Sequence, residues 1–364
     1  PILRCFVTER GTPETSTLSL HDALPISYPM RPIRLLSVLL CATAFCCGTA
    51  AGTEPDRIRI ACYNVESLFD TVPDPSAGDA EFTPHSPRRW NTERYRMKIN
   101  HISRVIDDLD ADLLALAEVE NEAVVRDLMY AMRSDYNYIH RNSGDPRGMD
   151  VVLLYRGSRF FPTRVRQVFG RGLTRSLLTV DGELLGESVT LILCHLPSQM
   201  NAARYRAEAF RSLRRTVDSL LTGSPQRKLV VLGDFNAEPD ARESRKILHV
   251  RPETALRNAP ADPSALYTPF VGLRRQGYGT LVYRDRRQLF DYILVSGAFA
   301  SGNGLRYGGR CGIFVRDYLI HRSGPWKGYP IRTFQAGRYT GGYSDHLPVF
   351  LDFENKKPES PEVR

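Results

Sequence analysis

An α/β fold is predicted by three features of this 364-residue sequence. Apolar runs of strand length recur along it, amphipathic segments of helical spacing separate them, and run after run ends in Asn, Glu, Asp or His. The clearest case is Leu229-Val230-Val231-Leu232 followed by Gly233-Asp234-Phe235-Asn236. The apolar residues read as a buried strand, Gly233 frees the backbone to turn, and Asp234 and Asn236 leave the strand end together. A carboxylate there can take a proton from water, and an amide can donate to a phosphate oxygen. The same stretch also suits a plain strand with an Asx-turn, so the chemistry has to be argued from the other strand ends as well.

Composition sets the frame. With 42% hydrophobic and 25% charged residues the chain can build a large core and carries no signature of disorder across its body. The net charge of +8 favours anionic partners, but an excess of that size is also common on inert surfaces. The first residues, 1–29, have no sustained period. They include Thr15 to Ile26, which resembles translated sequencing-adaptor sequence and is set aside as a non-native leader. From Met30 the pattern is that of a secretory signal over 30–50: Arg31 and Arg34, an apolar stretch from Leu35 to Cys47, then Gly48-Thr49-Ala50. Its apolar stretch is shorter than the ~20 residues of a spanning helix. The expectation is an exported chain, periplasmic or secreted, beginning near Ala51, which N-terminal sequencing would read; a lipoprotein anchored at Cys46 or Cys47 fits less well. Cys62, Cys194 and Cys311 are then too few and too far apart for a disulfide framework or a cysteine metal site.

The elements follow in order across one domain, 54–355, with a charged, proline-bearing tail over 356–364 expected to be flexible. Arg57 to Asn64 alternates as a strand that Asn64 ends, and Pro73 to Pro87 is a surface loop. Tyr95, Ile99, Ile102, Ile106 and Leu109 mark a helix, with Asn91 or Thr92 as N-cap. Asp112 to Glu118 is a buried strand with an acid at its exit. A helix over Val124 to Arg133 and strands Val151–Tyr155 and Thr190–His195 come next. A long helix then turns Tyr205, Ala209, Leu213, Val217 and Leu220 inward. Beyond the Gly233 turn lie a strand over Phe290 to Ser296, a glycine-rich stretch from Tyr329 to Gly342, and a last strand after Ser344-Asp345-His346 with Leu347, Val349, Leu351 and Phe353 alternating.

Strands lying side by side bring their ends together. Asn64, Glu118, His195, Asp234, Asn236, Asp345 and His346 would then supply hard oxygen ligands, imidazoles and amides at one edge, which is a kit for phosphoryl transfer. In this order, Asn64, Ala117-Glu118-Val119, Cys194-His195-Leu196, Gly233-Asp234-Phe235-Asn236, Phe290-Asp291-Tyr292-Ile293 and Ser344-Asp345-His346 resemble the motifs of the endonuclease/exonuclease/phosphatase superfamily, over roughly Ile58 to Phe353. The resemblance implies a DNase I-like four-layer α/β/β/α sandwich. It implies a Mg²⁺-dependent phosphodiesterase, with Mn²⁺ as the alternative ion, acting as a monomer on nucleic acid or another phosphodiester. Glu118 would hold the metal, with Asn64 and Asp345 close to it or to its waters. Asp234 would orient or deprotonate the attacking water, Asn236 and His195 would bind the scissile phosphate, and His346 would be the proton-transferring or charge-stabilising imidazole. Asp291 would fix the tautomer of an active-site histidine, His346 before His195.

The substrate rests on loops rather than fold. Leu232 before Gly233 and the Tyr343-Ser344-Asp345-His346 run depart from the inositol-polyphosphate phosphatase pattern, and Ala117 departs from the Gln that precedes the metal Glu in abasic-site endonucleases. No clear apolar hairpin suits a sphingomyelinase. The nearest resemblance is to exported nuclease-like proteins of Bacteroides-type bacteria, so a nuclease is expected, with a lipid phosphodiesterase or a silent nucleic-acid-binding protein as alternatives. Glu120 and Asp150 are further candidates near the site. Arg94, Lys98 and Arg332 could reach phosphates, whereas His140, His249 and His321 read as structural or exposed.

Overall fold

The computed structural model describes residues 56–356 apart from 76, 259–260 and 301–303. The leader over 1–29, the export signal over 30–50 and the tail beyond 356 lie outside the described residues. In chain order the elements are β1 (Asp56–Leu68), α1 (Thr92–Leu109), β2 (Leu113–Val119), α2 (Glu122–Ala131), β3 (Asn137–His140) and β4 (Asp150–Tyr155). Then come β5 (Phe160–Val168), β6 (Leu177–Leu184), β7 (Glu187–His195), α3 (Ala203–Thr222), β8 (Lys228–Asp234), β9 (Val250–Pro252) and β10 (Leu266–Thr268). A ribbon of β11 (Leu281–Tyr283) and β12 (Arg286–Gln288) precedes β13 (Asp291–Ser296) and β14 (Gly304–Ile313). A second ribbon, β15 (Phe334–Gln335) and β16 (Arg338–Tyr339), precedes β17 (Val349–Lys356).

Two sheets stand face to face. One runs β14-β17-β1-β2-β4-β3 and the other β5-β6-β7-β8-β13-β10-β9. The parallel pairs β1/β2 and β7/β8 each need a crossover, and the sequence supplies α1 and α3 for these. Helix α1 starts where Asn91 accepts the Arg94 N–H, and it buries Ile99, Ile102, Val105, Ile106 and Leu109. At about 1.5–3 kcal/mol for each large aliphatic side chain withdrawn from water, that stripe holds α1 in place. Helix α2 is capped in the same way by Asn121, which accepts from Val124. α1 and α2 cover the first sheet and α3 the second, which completes the expected four-layer DNase I-like sandwich.

Register positions the chemistry. His195 of β7 pairs across to Asp234 of β8, and Asp234 pairs with Asp291 of β13, so three polar residues form one row on one face of the second sheet. That face meets β1, whose Cys62 Sγ lies 3.9 Å from the carbonyl oxygens of both Gly233 and Tyr292. Gly233 has φ 138°, and a Cβ there would collide with the carbonyl of Cys194, so the close approach of β7 and β8 at the site requires glycine. Asp234 is therefore the last residue of its strand rather than the first beyond it.

One boundary differs in a way that matters. Asn64 does not end β1, which continues to Leu68 through a register shift against β2. Glu66 and Ser67 take left-handed backbone angles, φ 52° and 50°, and this kink turns both toward the mouth of the site. The cysteines at 62, 194 and 311 are all buried. No helix among the described residues is long and apolar enough to cross a membrane.

Candidate active site

Asn64 stands at the junction of the two sheets. Its Nδ2 donates to Glu118 Oε1 at 3.1 Å and to Asp234 Oδ2 at 3.0 Å, while its Oδ1 accepts the Glu66 N–H at 3.0 Å. Asn64 thereby orients two carboxylates, and the second lone pair of its Oδ1 is left for a cation or one of its waters. Glu118 sits near the exit of β2 with φ 69°, and its Oε2 accepts the Ser67 N–H at 2.9 Å. His195 Nε2 lies 3.7 Å from Glu118 and 3.6 Å from Asp234. Asp234 Oδ1 accepts the Asn236 N–H at 2.8 Å, and Asn236 Nδ2 donates to the Leu196 carbonyl at 2.9 Å, which leaves its second N–H free. Across the row, His346 Nδ1 and Asp291 Oδ2 are 2.6 Å apart.

Asn64, His195, Asp234, Asp291 and His346 are buried, whereas Glu118, Asn236, Asp345, Glu66 and Arg332 line the open mouth. Charge follows from that placement. Burial alone would raise the Glu118 carboxyl, but His195, the Asn64 amide and the Arg175 guanidinium outweigh it and bring it down to about 2. Burial and Arg175 hold His195 well below 6.5, so its imidazole is neutral at neutral pH and the Asn64 and Arg175 contributions keep Glu118 anionic. Asp234 is pushed up to about 7, by burial first and then by the charge of Asp291. Burial would lower His346, yet the adjoining Asp291, with Asp345 and Asp234 beyond, holds it well above 6.5. An imidazolium and a carboxyl that titrates near neutrality thus stand side by side, the separation of protonation behaviour that acid–base chemistry needs.

The His346–Asp291 pair carries a pH signature. A histidine raised above its unfolded value gives stability that is complete below about 6.5 and is lost as pH rises through the higher folded value. The melting temperature of the metal-free protein is expected to fall over that alkaline interval, and Asp291→Asn to remove this slope. Identical alkaline slopes in calorimetry of the two proteins would separate the pair from the stability of the site.

Two kinds of observation bear on a cation. Among the described residues, Asp234, Asp291 and His346 place ligand atoms within 4.8 Å of one another. That group is buried and already internally paired through His346, so a cation there would have to displace the imidazolium proton. Glu118 and Asp345 are the better fit: anionic or partly exposed oxygen donors at the mouth, with Asp345 Oδ1 no nearer than 4.0 Å to His346 Nε2. Beside them the buried atoms His195 Nδ1 and Asp291 Oδ1 have no hydrogen-bond partner among the described residues, which suits a site whose polar groups await a ligand or its waters.

Other expected residues are placed differently. Lys98 is buried and donates to Thr333 Oγ1 at 2.7 Å and to the Tyr343 carbonyl at 2.5 Å, so it cannot reach a phosphate in solvent. Arg94 stacks on Tyr339. Glu120 is pushed up to about 8 by burial and by neighbouring acids, and it accepts the Asp70 N–H at 2.7 Å, away from Glu118. Asp150 pairs with His140 at 2.7 Å and accepts the Ser143 N–H, a structural arrangement.

Three contributors were not anticipated. Arg175, in the turn between β5 and β6, is buried with its Nε 2.6 Å from Asp145 Oδ2 and its Nη1 3.4 Å from the His195 carbonyl. Asp145 is that guanidinium's partner, and nothing in a loop Arg or Asp marks it for burial. Ending the first strand at Asn64 leaves Glu66 outside the expected site, whereas β1 continues to Leu68. The place of Glu66 two residues on, the spacing that repeats one face of a strand, was the available signal.

A model of the endonuclease/exonuclease/phosphatase family matches residues 59–355. Among solved structures, a humanized D. rerio TDP2 carrying 14 mutations aligns with TM-score 0.53 and 16% identity over 82% of this chain and 99% of that one. An endonuclease/exonuclease/phosphatase family protein from Bacteroides thetaiotaomicron aligns with TM-score 0.51 and 16% identity, over 82% and 98%. A truncated Caenorhabditis elegans TDP2 aligns with TM-score 0.53 and 15% identity, over 82% and 98%. These three likenesses are ones of fold. No curated protein matches the sequence.

Proposed function

The chain belongs to the endonuclease/exonuclease/phosphatase family, and on that premise we propose that it is a Mg²⁺-dependent phosphodiesterase acting as a nuclease on DNA or RNA. The observation that carries the reading is the row of His195, Asp234 and Asp291 across three adjacent strands, facing Asn64, Glu118 and His346 from the other side of the same mouth. Glu118, with Asp345 at its side, would hold the cation. When bound, a divalent ion supplies neutralising charge at the phosphate oxygens.

The protein groups do the rest. Asn64 holds Glu118 and Asp234 at a fixed separation. Asp234 Oδ2 takes the proton of a water whose oxygen attacks phosphorus in line with the leaving oxygen, and the bond to that oxygen breaks. The free N–H of Asn236 and the neutral His195 donate to non-bridging oxygens. His346, kept protonated by Asp291, offers its Nε2–H to the charge that develops on the leaving oxygen. A nuclease is favoured over a lipid phosphodiesterase by the net charge of +8, which attracts a polyanion.

The purified chain is expected to cut plasmid DNA or RNA with Mg²⁺, to stop on EDTA, and to leave sphingomyelin vesicles intact. Sphingomyelin hydrolysis without nucleic-acid cleavage would replace the substrate class, and nucleic-acid binding without turnover would remove the enzyme.

A further inference from the structure

Three carboxylates surround the mouth, and they are not equally available. Glu66 Oε1 lies 2.9 Å from Arg332 Nε, and Asp345 Oδ2 lies 2.9 Å from Arg332 Nη2, so one guanidinium spans the two. The second oxygen of Glu66 accepts the Thr333 N–H at 2.7 Å, with Lys98 Nζ 3.9 Å away. Glu118 differs: its hydrogen bonds come from the Asn64 amide and from Ser67, and none comes from a Lys or Arg side chain among the described residues.

Arg332 is no loose surface side chain. It precedes the β15/β16 ribbon, whose Phe334 and Tyr339 pack on Trp90 next to the start of α1, and Lys98 ties Thr333 and Tyr343 to α1 from below. Glu66 in turn is aimed by the left-handed kink in β1. Strained backbone, buried lysine and anchored ribbon converge on one arrangement, a guanidinium held between two acids.

We propose that Arg332, supported by Lys98, takes the place a second metal ion would otherwise occupy between Glu66 and Asp345, so that the active site binds a single divalent cation, at Glu118 and the remaining oxygen of Asp345. The inference rests on the metal-dependent reading above. Its physical ground is charge. Glu66 and Asp345 already face two fixed cations, Arg332 and Lys98, whereas the partners of Glu118 are neutral, so a divalent ion would gain little between the first two for the waters it must shed. Arg332 is on this account a positioning residue that sets metal number. Glu66 is its anchor and not a ligand.

Titration of the apo chain with Mn²⁺, read by electron paramagnetic resonance and calorimetry, tests this without reference to turnover. Wild type is expected to bind one ion, Arg332→Lys one, and Arg332→Gln two. Glu66→Gln, which keeps the size and one hydrogen-bonding oxygen, is expected to change the wild-type affinity less than twofold; Glu118→Gln is expected to weaken it at least tenfold. Two ions in wild type, one ion in folded Arg332→Gln, or a tenfold loss in Glu66→Gln would overturn the inference and leave the metal-dependent reading standing. No Mn²⁺ bound by wild type at millimolar concentration would overturn both.

Discussion

Asp234→Asn is expected to lower kcat by about 10²–10⁴, the range associated with loss of a positioned general base. The substitution keeps the size of the side chain and an oxygen for the Asn236 N–H, but it puts an amide NH₂ where Oδ2 accepts from the Asn64 Nδ2 that also donates to Glu118. It also removes a titration. In the metal-free chain the carboxyl titrates at about 7, and a cation nearby draws it lower, so wild-type activity should fall on the acid side as Asp234 takes up its proton. The variant should show a low rate without that limb. A variant that stays folded by near-ultraviolet circular dichroism and retains the limb would assign the base elsewhere, with His195 the next group in the row.

The second large effect belongs to Glu118. Replacing it by Gln leaves the Ser67 N–H an oxygen to bond and removes a mouth carboxylate that stays anionic despite its burial. Loss of that charge should weaken the cation site, and kcat/KM at fixed Mg²⁺ should fall by at least about a hundredfold. Excess Mg²⁺ should restore part of the rate, because binding rather than the acid–base groups has been damaged. A Glu118→Gln variant with the wild-type rate and the wild-type Mg²⁺ dependence would show that Glu118 does not serve the metal.

How much of this could be read in advance depends on where each side chain's signal resides. Strand ends are local: Asp234, Asn236, Glu118 and His195 each follow an apolar run, the Asp345-His346 pair precedes one, and the structure gathers them at one edge. The Asp291–His346 contact joins residues 55 apart in sequence and was anticipated because strand ends of one sandwich meet there. The β5/β6 hairpin gave no such signal. β5 is the edge of its sheet and half exposed, so Phe161, Arg164 and Arg166 break the apolar alternation that reveals interior strands. Lys98 shows a different limit. It lies on the same helical face as Tyr95, Ile99 and Ile102, a position that calls for burial, but lysine is read as solvated unless its partners, Thr333 and the Tyr343 carbonyl, are already known. The kink at Glu66 and Ser67 depends on β1 meeting both β2 and the Arg332 strand-end loop, a tertiary condition that no local period encodes.

The central claim is that this mouth hydrolyses phosphodiesters with a divalent cation and Asp234 as base. It is tested most directly by following hydrolysis of one defined phosphodiester substrate by metal-depleted wild type and Asp234→Asn as Mg²⁺ is added back. The account predicts no rate without metal, a saturable rise for wild type, and a rise at least about a hundredfold smaller for Asp234→Asn. Hydrolysis by the metal-depleted wild type, or equal rates for the two proteins at saturating Mg²⁺, would contradict it.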